Sequence, residues 1–336
     1  MNSFGSFFRV SIFGESHGKG VGIVIDGAPA GIPFREDDLL PELKRRQSGR
    51  PGTTPRREAD KPEILSGTFD GKTTGAPLTV FFENADTRSR DYTLFKEIPR
   101  PGHADFTASK KYGSFNDFRG SGHFSGRLTL GLVSAGALAK KIIAPITLSA
   151  RLIEAGGESD IDAAVGNALE RKDSIGGIVE CTALQVPVGL GEPFFNSVES
   201  QIAHIAFSIP AVKGIEFGAG FQAAKMSGSR HNDNFIRADG RTETNHAGGI
   251  NGGITNGNDL VFRVVVKPAS SISLPQRTVN VRTGELETLI VEGRHDTCIA
   301  LRVPVVLEAA TAIVLADFCL MEQRAGRVFA SSEKTG

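Results

Sequence analysis

The chain has 336 residues and a mass of 35.7 kDa, enough to bury a substantial core in one large domain or two smaller ones. Its 38 Lys and Arg balance 38 Asp and Glu, which argues against a dedicated nucleic-acid binder and leaves anion sites to local clusters. Three scattered cysteines, Cys181, Cys298 and Cys319, exclude a disulfide framework, and with Phe 22, Tyr 2 and Trp 0 no aromatic surface for stacking bases is expected.

Phe7 to Ile12 reads as a strand that runs into Phe13-Gly14-Glu15-Ser16-His17-Gly18, a turn carrying an acid, a hydroxyl and an imidazole between glycines. Taken alone, the turn fits a site and a structural bend equally well. Val21 to Gly27 reads as a second strand, paired with the first as a hairpin. Phe34 to Arg46 follows as a helix, with acids in its first turn and Lys44-Arg45-Arg46 at its end. From Lys44 to Arg57 the basic residues face no acid, among prolines and glycines that forbid regular structure. A solvated basic loop usually mixes signs, so phosphate or carboxylate recognition is the preferred reading.

Ile64 to Phe69 and Ala76 to Phe82 form the next strand pair; Asp70 to Gly75 between them lacks the glycine spacing and following helix of a phosphate-binding P-loop. Arg100-Pro101-Gly102-His103-Ala104-Asp105 is a second isolated His loop, which suggests an acid/base pair with His17. Arg119 to Arg127 is glycine-rich and donor-rich, and the apolar helix Leu128 to Ile143 behind it is expected to be buried between layers. Strands at Ile146 to Ile153, Gly177 to Pro187, Val212 to Phe217 and Leu260 to Lys267 alternate with helices at Ile161 to Lys172 and Ser197 to Ser208. Met226 to Asn258 is too long for an ordinary connection and reads as functional, with disorder as the competing expectation for Asp233 to Glu243. Lys267-Pro268-Ala269-Ser270-Ser271 suits phosphate, Arg294-His295-Asp296 follows, and Pro304 to Leu320 closes the chain as an apolar helix.

In order and spacing, the turn at 14–18, Arg45-Arg46, the loop at 100–105, Ser125-Gly126-Arg127, Asn245 to Ile250, the segment at 267–271 and Arg294-His295-Asp296 resemble the chorismate synthase family, over roughly Phe4 to Gln323. The resemblance implies an α/β (α+β) fold, a β-α-β sandwich with core helices between two mainly antiparallel sheets, and a homotetramer. It implies the anti-1,4-elimination of phosphate from 5-enolpyruvylshikimate 3-phosphate, giving chorismate, with reduced FMN and no net redox change. Carried over residue by residue, it makes His17 the acid for the leaving phosphate, His103 a partner of the reduced flavin, and Asp296 an aid to proton removal through the flavin. Substrate contacts fall on Ser16, Arg46, Arg50, Arg100, Ser125, Arg127 and Arg294. Flavin contacts fall on His123, Phe124, Ser125, Arg230, His231, Asn245, Gly257, Lys267, Pro268, Ala269, Ser270, Ser271 and Arg294. Where the family usually reads Gly-Arg-Ser-Ser-Ala-Arg, this chain has Gly122-His123-Phe124-Ser125-Gly126-Arg127. That departure motivates the alternative of a flavin- or phosphate-binding paralogue with weakened catalysis.

The chain is expected to form a single domain over residues 1–324 with a frayed tail at 325–336. No metal cluster, targeting segment or membrane span is expected, and the location expected is the cytoplasm. No separate nicotinamide-binding unit is recognisable, so NADP-linked reduction of the flavin in this chain and supply by an external flavin reductase both stay open.

Overall fold

Two antiparallel sheets enclose a layer of apolar helices, as the resemblance implies. The computed structural model describes residues 2–54, 59–85, 89–293 and 295–324. In chain order it contains β1 (Ser3–Phe4), β2 (Arg9–Gly14), β3 (Gly20–Asp26), α1 (Leu40–Arg46), β4 (Glu63–Ser66), β5 (Thr68–Phe69), β6 (Lys72–Thr73) and β7 (Leu78–Glu83). Then come α2 (Asp105–Lys111), α3 (Thr129–Ile142), β8 (Thr147–Ala155), α4 (Ile161–Glu170), β9 (Gly177–Leu184), α5 (Val198–Ala206), β10 (Val212–Phe217) and α6 (Gly228–His231). The rest comprises β11 (Ile250–Asn251), β12 (Ile254–Thr255), β13 (Leu260–Val266), β14 (Gln276–Val279), β15 (Leu286–Leu289) and α7 (Val303–Arg324). One sheet has the order β1-β2-β3-β7-β4 and the other β10-β13-β9-β8.

Period-two patterning explains which face of each sheet is inward. Val21, Ile23 and Ile25 of β3 lie opposite Phe82, Val80 and Leu78 of β7, and all six are fully buried. In the second sheet Val179 and Cys181 of β9 oppose Val264 and Phe262 of β13 in the same way. Between the sheets, α3 is buried from Thr129 through Ala139, and α7 crosses it closely. A Cβ on Gly136 of α3 would lie 2.3 Å from the Cβ of Ala309 on α7, so only glycine permits that approach. The segment Ile299–Gln323 is, among the described residues, the one helix long and apolar enough to span a membrane, yet 78% of its apolar window is buried inside the protein. The sheets and their neighbours therefore account for its apolarity.

Two carboxylates tie this helical layer to its surroundings. Asp317 on α7 accepts hydrogen bonds from the backbone N–H groups of Ser6, Phe7 and Phe8, fixing the turn that enters β2. Glu308, also on α7 and 2% exposed, accepts from both terminal nitrogens of Arg45 at 2.7 Å, from Lys140 Nζ at 2.9 Å and from the Ala150 N–H at 2.8 Å. Burial pushes the Glu308 carboxyl up, but Arg45 and Lys140 outweigh it and hold it below the ordinary 4.5. Its contribution is therefore fully present above the unfolded value and is lost as pH falls through the lowered folded one. Glu308→Gln should cost about 3 kcal/mol in a urea melt at neutral pH, the low end for a broken buried pair, because Arg45 and Lys140 keep partial access to water. The gap from the parent protein should shrink below pH 4.5; a gap that does not change with acid would remove the charge from the explanation.

The long connection before β13 does not behave as its composition suggests. Asp233 accepts from the Thr244 hydroxyl and from the N–H groups of His246 and Ala247, and Phe235 bridges to Thr242, so the segment folds on itself. The β14–β15 hairpin was not foreseen, because Gln276 to Leu289 mixes charged and apolar residues without a clean alternation. The tail at 325–336 lies outside the described residues.

Candidate active site

A cleft of about 1190 Å³ is lined by the turn at His17, the end of α1, the loops at 100–104, 120–126 and 267–271, and the start of α7. Single-ligand pockets are usually about 300–1,000 Å³, so this one has room for two small molecules. Arg46, Arg100, Arg127, Lys213, Lys267 and Arg302 line it, against the carboxylates of Asp60, Glu292 and Asp296. The excess is positive, and it is built from partly desolvated groups whose attraction for anions is strengthened by the low local dielectric.

Arg46, Arg127 and Asp60, all under a tenth exposed, form one buried charge cluster. Asp60 accepts from Arg46 Nη1 at 3.3 Å and from Arg127 Nη1 at 2.9 Å, so one carboxylate serves two guanidiniums. Thr129 Oγ1 and the Gly126 carbonyl take further N–H groups of Arg46, and Glu83 O takes one of Arg127. Burial first, and then the Arg302 guanidinium, pushes Arg46 down to about 9, which leaves it cationic at neutral pH. Arg302 donates to the Arg46 carbonyl at 3.1 Å and stands 3.7 Å from Asp296, whose other oxygen accepts the Thr54 N–H at 2.9 Å. Among the described residues the set is short of negative charge and suits a phosphate or carboxylate ligand.

Both candidate histidines are organised by the segment Arg119 to Phe124. Gly120, Ser121 and Gly122 all have positive φ (56°, 69° and 53°), a conformation that folds the backbone tightly. A Cβ on Gly120 would come within 2.4 Å of His17 Cδ2 and 2.6 Å of Nε2, so the glycine backbone packs directly against that ring. The His17 ring also meets Tyr92 edge-on, with centroids 5.1 Å apart, and is 6% exposed. Ser121 Oγ lies 3.1 Å from His103 Nε2, while Asp105 Oδ1 lies 2.7 Å from His103 Nδ1. Asp105 also takes two parallel bonds from Arg100, each 2.8 Å. Burial would raise the Asp105 carboxyl, but Arg100 and His103 hold it far below the usual carboxylate range. Asn84 joins the two halves: its amide donates to the Glu15 and Gly18 carbonyls, and its oxygen accepts from Arg127.

The structure brings most of the expected residues to this cleft. His17, His103, Asp296, Arg46, Arg100, Arg127, His123, Phe124, Ser125, Lys267, Ala269, Ser270 and Ser271 line it. Ser16 lies just behind, fully buried, with its hydroxyl unpartnered among the described residues. Arg50 is exposed, and its carbonyl closes a turn with Thr53. Arg230, His231, Asn245, Gly257 and Pro268 do not line the cleft in the single chain; Asn245 instead donates to the Asp259 carbonyl, and His231 packs against His246. Arg294, with Arg56 and Arg57 of the basic loop, lies outside the described residues. His123 turns out to be a strut, with Nδ1–H donating to the Gly14 carbonyl at 2.8 Å and Nε2 3.2 Å from the Asn2 amide. Asp60, Asn84, Ser121, Lys213 and Arg302 join the site beyond the residues expected from the sequence. A Gly-Ser-Gly run before a helix was the one available signal for Ser121.

Lys267 and its loop offer a second anion position in the cleft. Its ammonium donates to Ser270 Oγ at 2.8 Å and to the Gly102 carbonyl, and among the described residues no carboxylate pairs with it. Burial first, then Lys213, lowers its pKa. Two lysines beside hydroxyls, with Phe95 and Phe124 also lining the cleft, fit a phosphorylated aromatic cofactor.

Comparison with known proteins gives this site a context. The family model described as chorismate synthase matches residues 8–320. A chorismate synthase of Chitinophaga pinensis is 62% identical over 98% of this chain and 99% of its own. Those of Dehalococcoides mccartyi and Methanocaldococcus jannaschii are 47% and 43% identical, each over 95% of this chain and 96% of the relative. A crystal structure of chorismate synthase superposes with a TM-score of 0.73 at 28% identity, covering 95% of this chain and 93% of the other.

Proposed function

The chain belongs to the chorismate synthase family, and from that membership we propose that it eliminates phosphate and the C6 hydrogen from 5-enolpyruvylshikimate 3-phosphate to give chorismate. The observation that carries this reading is the buried pair Arg46 and Arg127, which share Asp60 in the same cleft as His17. A substrate with one phosphate and two carboxylates would supply the missing negative charge, and fixed guanidiniums would stabilise the charge gathering on the leaving phosphate. Arg100 and Arg302 extend the cationic wall on which the carboxylates would orient the ring. His17, held between Gly120 and Tyr92, would hold the proton for the departing phosphate oxygen. Asp296, anchored by the Thr54 N–H and Arg302, is the carboxylate assigned to proton removal.

Reduced FMN, when bound, supplies an electron-rich ring system that lets the elimination proceed without net redox change. Lys213, Lys267, Ser270 and Ser271 would hold its phosphate and polar edge, with Phe124 on the apolar side. Both ring nitrogens of His123 lie against structural partners, which supports a fold-keeping role at the position where the chain departs from the usual family pattern. A homotetramer, an external reductase or NADP as the source of reducing equivalents, and a cytoplasmic location belong to the same proposal and rest on family membership.

The test is anaerobic turnover. Purified protein given reduced FMN and 5-enolpyruvylshikimate 3-phosphate should release phosphate and chorismate in equal amounts. Saturable binding of both without product would replace the enzyme reading with that of a binding paralogue.

A further inference from the structure

Asp105 does not line the cleft, yet it is bonded to two groups that do. Around His103 the chemistry of the partners constrains the hydrogen-bond directions. Asp105 Oδ1 lies 2.7 Å from Nδ1, and a carboxylate only accepts, so Nδ1 must carry the proton; a lone pair at that distance would face another lone pair. Arg100 Nη2 is 3.1 Å from the same Nδ1, but a guanidinium only donates, and this nitrogen already gives a 2.8 Å bond to Asp105. In the neutral ring Nε2 is then the unprotonated edge, and the Ser121 hydroxyl at 3.1 Å donates to it. Ser121 does so from a left-handed backbone (φ 69°), a conformation that costs a non-glycine residue free energy and that persists where surroundings over-determine it.

Resting on the reading of the cleft given above, we propose that Asp105 is the positioning residue that fixes His103 as the Nδ1–H tautomer, with Nε2 as its proton-accepting edge beside Ser121. Asp105 acts through His103 and Arg100 and touches no ligand itself. Held this way, the ring presents one defined proton-accepting atom, Nε2, to the cleft. The same carboxylate keeps the Arg100 fork in one orientation, so its removal would disturb binding and proton handling together.

The experiment is nitrogen-detected NMR of protein labelled with 15N-histidine, without ligands and at a pH where the ring is neutral, with His103 assigned through His103→Gln. The parent protein should show a protonated Nδ1 and a bare Nε2. Asp105→Asn should move His103 to the Nε2–H form, lower kcat by about 10²–10⁴-fold and also raise the substrate KM through the loosened Arg100 fork. Ser121→Ala should keep the Nδ1–H form. An Nε2–H tautomer in the parent, or an unchanged tautomer in a folded Asp105→Asn, would overturn the proposal. If Asp105→Asn fails to fold, the parent spectrum still decides. Because the spectrum needs no substrate, a parent protein that makes no chorismate would sink the functional reading and leave the tautomer result standing.

Discussion

Replacing His17 by Ala is expected to lower turnover by about 10²–10⁴-fold, the usual contribution of a positioned acid or base, while FMN affinity shifts only a few-fold. The ring is almost wholly buried against Tyr92 and Gly120, so it has one place to sit and one edge to offer the cleft. Alanine removes that edge and leaves Arg46, Arg127 and Asp60 held by their bonds to one another and to Thr129, Gly126, Asn84 and Glu83. Gly120→Ala should reproduce much of the loss without touching a titratable group. The added Cβ would sit 2.4 Å from His17 Cδ2, and φ +56° costs an L residue roughly 1–2 kcal/mol, so ring and loop must separate. Because both changes act on the same ring, the double variant should be little worse than His17→Ala alone. Steady-state rates under anaerobic conditions decide: near-normal turnover in His17→Ala would strip the residue of its role, and strict additivity would show that Gly120 acts elsewhere.

How much of this could be seen in the linear chain depends on whether a residue speaks locally. The strand alternation of Val21 to Ile25 and the glycine-flanked His17 and His103 loops are local signals, and the structure places them as expected. Helix α7 was legible as apolar, but its role as the central helix was not, because the small residues meeting α3 at Gly136 and Ala309 lie 173 positions apart. Asp60 follows a basic, proline-rich loop and looks like one more loop acid; only folding puts it between Arg46 and Arg127. His123 departs from the family pattern at an expected flavin contact; it lines the cleft, and its ring nitrogens meet Gly14 at the end of β2 and Asn2 just before β1. Arg230, His231, Asn245 and Gly257 sit in motifs dense enough to suggest ligand contact, and in the single chain they lie away from the cleft: the Asn245 amide donates to the Asp259 carbonyl just before β13, and the His231 ring packs against His246.

The carboxylate of Asp60 carries the last and largest stability prediction. With side chains of Asp60, Arg46 and Arg127 all under a tenth exposed, Asp60→Asn takes from two buried guanidiniums the carboxylate they share and turns an accepting oxygen into a donating amide on one side. Breaking a buried pair from one side costs about 3–5 kcal/mol, far beyond what an exposed pair would lose. Arg46 has little to fall back on, since burial and then Arg302 already press its proton affinity downward and Asp60 opposes them. The same arithmetic predicts rescue. A phosphate-bearing ligand that binds the folded state stabilises by an amount set by its concentration over Kd, and the variant cleft, now one charge more positive, should bind it more tightly. Thermal melts with added inorganic phosphate should therefore raise the Asp60→Asn midpoint more than that of the parent protein. A loss under about 1 kcal/mol would mean that water reaches the pair, and equal phosphate shifts in both proteins would mean that Asp60 does not stand in for a ligand anion. Either result would separate the fold's charge balance from its chemistry; the expected one makes them the same group.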